Sequence, residues 1–233
     1  MDELVIKAAQ NNADWCDVVC RTHGVPGEFL ENVWINQHEV PAYYPNAVTI
    51  KPLSNNDVTD ALKKISLEAY AIKDSFNELN EDEIGCKILF EAEWISYSQD
   101  ESKRKSTIDN WTIIKNDEEL KNWERVWNNA NPTDKKIFLP NILSSEGVFF
   151  LAKYKDNQIV AGGIVNISHD VVGLSNVFTK GLVNSNIYSE LVSFIKEKIS
   201  TIPIVGYEKD KELELAHEAG FKTIGKLKVL LKI

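Results

Sequence analysis

The chain has 233 residues, 43% of them apolar, and 26 basic against 35 acidic side chains give it a net charge of −9. A chain of this length buries roughly 70% of its unfolded surface, so it needs no metal or disulfide to hold a core. The acidic balance repels phosphate backbones, which excludes nucleic acid as an expected partner, and no run approaches the ~18 apolar residues of a membrane span.

In chain order, Asn12 opens a helical pattern in NADWCDVVCRTHG, with Trp15, Val18 and Val19 on one side and Gly24 as its stop. Pro26 and Gly27 then predict a second helix, EFLENVW, with Phe29, Val33 and Trp34 turned inward. PAYYPNAVTI carries prolines ahead of a β-branched run, which predicts a turn into a strand at 47–50. Asn56 or Asp57 caps a helix striped by Val58, Ala61, Leu62 and Ile65. A short strand at 70–72, the polar segment NELNEDEIG and the apolar-rich KILFEAEWISY follow.

The stretch 96–110, SYSQDESKRKSTIDN, has no apolar residue between Tyr97 and Ile108 and reads as a loop or linker, because it cannot offset its own ordering by burial. Charge changes there too: residues 1–110 carry 20 acids and 10 bases, residues 111–233 carry 15 and 16. We therefore expect an N-terminal α/β unit over 1–107 and a second domain over 108–233. In the second, 111–114 reads as a strand, and the acidic NDEEL opens a helix with Leu120, Trp123 and Trp127 at helical spacing. GVFFLAKYKDNQIVAGGIVNI reads as two strands about a Lys155-Asp156-Asn157 turn, and VVGLSNVF as a third strand. The stripe Ile187, Leu191, Ile195, Ile199 marks a helix. Past Pro203 come the strand IVGY, the acidic helix KELELAHEAG ended by Gly220, and the strand LKVLLKI. Hairpins demand antiparallel pairing while the later helices cross between strands, so the expected class is mixed α/β, of α+β type. Similar orders of elements near residues 71 and 204 hint at a tandem half-repeat.

This order of elements, with GGIV (162–165), NVF (176–178), VGYE (205–208), HEAGF (217–221) and IGKLKVLL (224–231), resembles the GNAT superfamily of acyl-CoA N-acyltransferases over about residues 108–233. The resemblance implies transfer of an acetyl group from acetyl-CoA to an amine without a covalent enzyme intermediate. It also implies a diphosphate held by backbone N–H groups at a helix start, through Arg/Gln-x-x-Gly-x-Gly/Ala. Val183-Asn184-Ser185-Asn186-Ile187-Tyr188 falls on that motif, with Val183, Asn186 and Tyr188 where the basic or amide residue and the two small residues would stand. A tyrosine at the close-approach position would either obstruct phosphates or point away from them. Asn176, Val177, Phe178, Thr179, Lys180, Asn184, Ser185, Asn186 and Tyr188 are the candidate cofactor-binding residues.

The tyrosine that many members place four residues before Gly-Phe is Ala216 here. Tyr207 and Glu208, at the end of a strand, are the candidate catalytic groups, Glu208 as the acceptor of the amine's proton; the plainer reading of Glu208 is a surface acid opening an acidic helix. Substitution of the motif residues leaves open an alternative, a catalytically silent GNAT-like module that binds a ligand or a protein.

Cys16, Cys20 and His23 at i, i+4 and i+7 could face zinc, but a fourth ligand has no evident source beyond Cys86, His38 or an acid, and buried thiols are common, so no metal is expected. The same scarcity of cysteine speaks against a disulfide framework. The opening MDELVIKAAQNN has neither the basic start nor the apolar core of a secretion signal, and we expect a cytoplasmic protein whose partner is a small or peptide amine, with no membrane partner. Trp34, Tyr43 and Tyr44 read as core packing or as a pocket lining.

Overall fold

A computed structural model describes residues 3–52, 55–98, 108–128, 135–181 and 186–233. The segment 99–107, most of the expected linker, lies outside the described residues, as do Val183, Asn184 and Ser185. The chain divides into two units, Met1–Trp94 with Ile224–Ile233, and Ile95–Thr223.

The first unit opens with α1 (Glu3–Thr22), which starts well before Asn12. Asn12 was expected to open this helix; instead it is buried inside it, where its Oδ1 accepts from Lys73 Nζ at 2.7 Å. Val5, Ala8, Ala9 and Ala13 extend the apolar face towards the N-terminus. The expected helix at EFLENVW is a hairpin, β1 (Glu28–Phe29) and β2 (Val33–Ile35). The cause is the buried Asp17 of α1, whose Oδ1 accepts from Gly27 N at 2.8 Å and from Trp34 Nε1 at 3.1 Å, tying both ends of the segment down. A Cβ on Gly27 would lie 2.4 Å from the Trp34 indole, so glycine serves close approach there, not a helix start. Trp34 is core, whereas Phe29 and Tyr43 are exposed.

β3 (Ala47–Thr49), α2 (Asn55–Leu62), β4 (Tyr70–Asp74), α3 (Glu81–Ile84) and β5 (Lys87–Tyr97) follow, and β11 (Lys222–Lys232) returns from the end of the chain. Within this unit the strands run β1, β2, β3, β4, β11, β5, with β3 and β4 parallel and β4 and β11 antiparallel. Val58, Leu62, Ile72 and Leu230 pack into one core cluster; Cys16, Cys20, Trp34 and Val48 pack into another.

The second unit holds β6 (Trp111–Ile113), α4 (Asp117–Trp127), a 3-10 turn at Pro140–Ser144, β7 (Val148–Lys155), β8 (Gln158–Ser168), β9 (Val171–Thr179), α5 (Ile187–Lys198), β10 (Ile204–Glu208) and α6 (Asp210–Ala219). Here the order is β10, β9, β8, β7, β6, antiparallel except for the parallel pair β9 and β10. Both tight hairpins turn on two residues with positive φ, Asp156-Asn157 and His169-Asp170, the geometry that matches strand twist. Successive glycines of β8 face opposite ways. A Cβ on Gly162 would meet Phe178 and Trp123 at 2.5 and 2.6 Å, and one on Gly163 would approach Leu191 of α5 at 3.7 Å. The α4 side carries the aromatic group Trp123, Phe138, Phe150 and Phe178, and Trp123 Nε1 donates to Leu151 O at 2.8 Å. The other side carries α5, with Ile187, Tyr188, Leu191 and Ile195 in a core shared with Leu215, Ala216 and Phe221. No helix among the described residues is long and apolar enough to cross a membrane.

Candidate functional site

The sequence VVGLSNVFT makes a strand with a fault in it. Gly162 pairs with Phe178 and Ile164 with Ser175, so Asn176 and Val177 share the place opposite Gly163. Asn176 takes up the extra residue with φ 53°, a left-handed conformation that asparagine tolerates and β-branched residues resist. A bulge of this kind bends a strand and interrupts its ladder. On the other edge of β9, parallel pairing with β10 joins Ile204 to Val172 and Val205 to Gly173. The backbones still touch one step on, where a Cβ on Gly206 would lie 2.7 Å from Leu174 O. β9 continues to Thr179 and β10 to Glu208, and both ends are half-buried.

At this edge Asn176 forms the bulge, Val177 packs against the α5 core, Phe178 stacks edge-on to Trp123, and Thr179 pairs with Ala161. Lys180 is exposed; its N–H donates to Val160 O at 2.7 Å and its Nζ lies 3.5 Å from Gln158 Oε1. Asn186 is the exposed residue preceding α5. The Tyr188 side chain, two residues on, is 1% exposed and sits in the core edge-on to Phe221, so of the two orientations open to it the phenol takes the inward one. Its Oη has no hydrogen-bond partner among the described residues, and neither does the buried Oγ of Ser175.

Glu208 ends β10. Burial drives its carboxyl up to about 7; the Tyr188 phenol beside it opposes that rise and the Glu212 carboxylate adds to it. Burial, and next the negative charge of Glu208, push the Tyr188 phenol well above its ordinary range. Tyr207 is half-buried beside Glu208 on the same strand. A carboxyl that titrates near neutrality can hold or release a proton at physiological pH, which an ordinary surface glutamate cannot do. The sequence singled out Glu208 and Tyr188 and missed Ser175. A polar Ser-Asn pair breaking the apolar run VVGL…VF is the signal that marks the bulge.

All three cysteines belong to the first unit. Cys16 and Cys20 are buried in the first unit, where burial pushes the thiols up to about 11 and about 12, and Cys86 is buried in that unit as well. Such thiols stay protonated and are poor metal ligands.

No family model matches this sequence, and no curated protein is similar to it. Solved structures are similar over nearly the whole chain. A GCN5-related N-acetyltransferase from Kribbella flavida aligns over 97% of this chain and 95% of its own, with a TM-score of 0.63 and 13% identity. A conserved protein of unknown function from Staphylococcus epidermidis aligns over 94% and 98%, with a TM-score of 0.62 and 13% identity. A GCN5-related N-acetyltransferase from Sphaerobacter thermophilus aligns over 97% and 92%, with a TM-score of 0.53 and 9% identity. At such identities the likeness is one of backbone, and it spans both units: the chain has the mixed α/β fold of GNAT N-acetyltransferases.

Proposed function

We propose that the protein is an acyl-CoA-dependent N-acetyltransferase that moves an acetyl group from acetyl-CoA directly to an amine. The observation that carries this reading is Glu208, a half-buried carboxyl at the end of β10 that titrates near 7, next to the bulged end of β9 in a fold shared with such enzymes. Acetyl-CoA supplies the activated acetyl group. The residues present fit a polar, extended co-substrate: β9 beyond Leu174 is half-buried and interrupted by the Asn176 bulge, and the buried hydroxyl of Ser175 lacks a partner among the described residues. Asn176, Val177, Phe178 and Thr179 would hold its arm. Lys180, Asn184, Ser185, Asn186 and the backbone of Tyr188 would hold its diphosphate, helped by the positive end of the α5 dipole. Glu208 takes the proton that the incoming ammonium must lose, since its affinity for protons lies closer to that of an amine than an ordinary carboxylate's does. Tyr207, the residue before it on β10, is half-buried, and strand alternation sends its side chain to the opposite face of the sheet.

A second reading, a catalytically silent module of this fold, draws support from Ala216, which is wholly buried and has no hydroxyl to offer a leaving thiolate. Titration calorimetry of the full chain with acetyl-CoA separates the two. We expect binding on the micromolar scale, weakened at least tenfold in Lys180→Glu, and release of CoA thiol with a panel of primary amines. No heat and no thermal shift with either acetyl-CoA or CoA would sink the transferase reading.

A further inference from the structure

The ladder between β9 and β10 joins Val172 to Ile204 and Gly173 to Val205, and Gly206 still lies against Leu174 O. Ser175 and Tyr207 come next, and after them Asn176 bulges while β10 runs on to Glu208. Alternation fixes the side of the sheet on which each residue falls. Val172, Leu174 and Ile204 belong to the α5 core, so Glu208 lies on that side and Ser175 on the other. Ile164, directly across β8 from Ser175, agrees: it is two residues from Gly162, where a Cβ would meet Trp123 of α4. The Oγ of Ser175 is shut off from water and has no hydrogen-bond partner among the described residues. Leaving a hydroxyl in that state costs free energy. The first unit shows the ordinary use of such a group: Thr49 Oγ1, at the end of β3, accepts from Ser75 N at 2.8 Å and ties the parallel strands β3 and β4 together. The end of the β9–β10 ladder thus carries a carboxyl on one face and an uncommitted hydroxyl on the other.

We propose that Ser175 is a further catalytic residue, whose Oγ–H donates to the carbonyl oxygen of the acetyl group as the amine adds to it. This role rests on the acetyltransferase reading. The nitrogen lone pair forms the C–N bond and the carbonyl π pair moves onto oxygen; collapse then restores the C=O bond and breaks the C–S bond. Of the two protons that the ammonium loses, one goes to Glu208 and the other to the departing CoA sulfur. A nucleophile arriving on the Glu208 side pushes the carbonyl oxygen towards the opposite face, the face on which Ser175 lies. Because its Oγ is buried and uncommitted, the hydroxyl meets the growing negative charge where the dielectric is low and with little reorganisation.

The test is Ser175→Ala, which removes the hydroxyl and little else. In the ligand-free full chain this change should leave the melting temperature level or raise it, since an unpaired buried hydroxyl is lost; a fall overturns the proposal, because the hydroxyl would then be serving the fold. In steady-state release of CoA thiol with the fastest amine of the panel, kcat should drop about a hundredfold while the Kd of acetyl-CoA stays within about twofold. An unchanged kcat overturns the proposal and leaves the transferase reading in place. Infrared spectra of bound acetyl-CoA, labelled at the acetyl carbonyl carbon, need no acceptor: the C=O stretch should lie at higher frequency in Ser175→Ala than in the unsubstituted protein, and identical bands overturn the proposal. Absence of binding in the calorimetry above would, by contrast, remove the transferase reading itself and this role with it.

Discussion

β4 and β10 are alike in plan and opposite in chemistry. Each is a five-residue strand ending on an acid, Asp74 or Glu208; each leads to a helix closed by a left-handed glycine, Gly85 at φ 64° or Gly220 at φ 104°; each then runs into an eleven-residue strand. Burial raises the proton affinity of both acids. Asp74, fully buried, is answered on every side: Leu79 N donates to it at 2.8 Å, Phe76 N at 3.3 Å, and Lys228 Nζ stands 4.0 Å away. Glu208 has one phenol and a second carboxylate. An acid held by backbone donors with a lysine nearby serves the fold. One left with a shortage of donors costs stability, and such costs gather where chemistry is done.

The contrast can be broken most forcefully at Lys228, which also donates to Leu79 O at 2.6 Å and Glu81 Oε2 at 2.9 Å. Lys228→Ala strands a buried carboxylate and should lower stability by about 3–5 kcal/mol in urea unfolding; a loss under about 1 kcal/mol would show that the Asp74 site does not depend on its cation.

Glu208 should respond in the opposite sense. Its folded pKa is raised above the unfolded value, so the penalty is absent below about pH 4, grows as pH rises through that value and is complete above about 7. Glu208→Gln should therefore stabilise the protein at pH 8 by about 1–2 kcal/mol after solvent screening, and leave it nearly unchanged at pH 4. Equal effects at the two pH values would contradict the titration behind the proposed role.

The smallest effect separates the helices that follow these strands. Asn80 Oδ1 accepts from Asp82 N at 3.1 Å and Glu83 N at 3.3 Å, whereas Lys209 makes no side-chain cap for α6. Asn80→Ala should cost about 1 kcal/mol and Lys209→Ala less than about 0.5, compared by thermal unfolding; equal costs would mean that the capping difference carries no weight.

Most of the second unit was legible because its signals are local. Asp156-Asn157 between alternating apolar residues dictates a two-residue turn, and Gly220 after a helical stripe dictates a left-handed stop. The misreadings arose where a distant group decided the outcome. EFLENVW has a spacing compatible with a helix, but Asp17 draws Gly27 and Trp34 into an extended path. Asn12 has the composition of a cap, but Lys73, far along the chain, makes it an interior residue. At the candidate site the strand end carrying Glu208 could be read from the sequence, as could the strand carrying Asn176. The bulge and the inward turn of Tyr188 could not, because each depends on the register of one strand against another or on the packing of α5 against α6.

By itself the sequence determined the alternation of strands and helices and the turns between them, since these follow from backbone preferences and apolar periodicity over a few residues. Only the tertiary structure decided which of two similarly placed acids would be met by backbone donors and a lysine and which by a phenol and a second carboxylate. That outcome depends on whether a lysine or a carboxylate arrives beside it, and on how much water the surrounding packing removes.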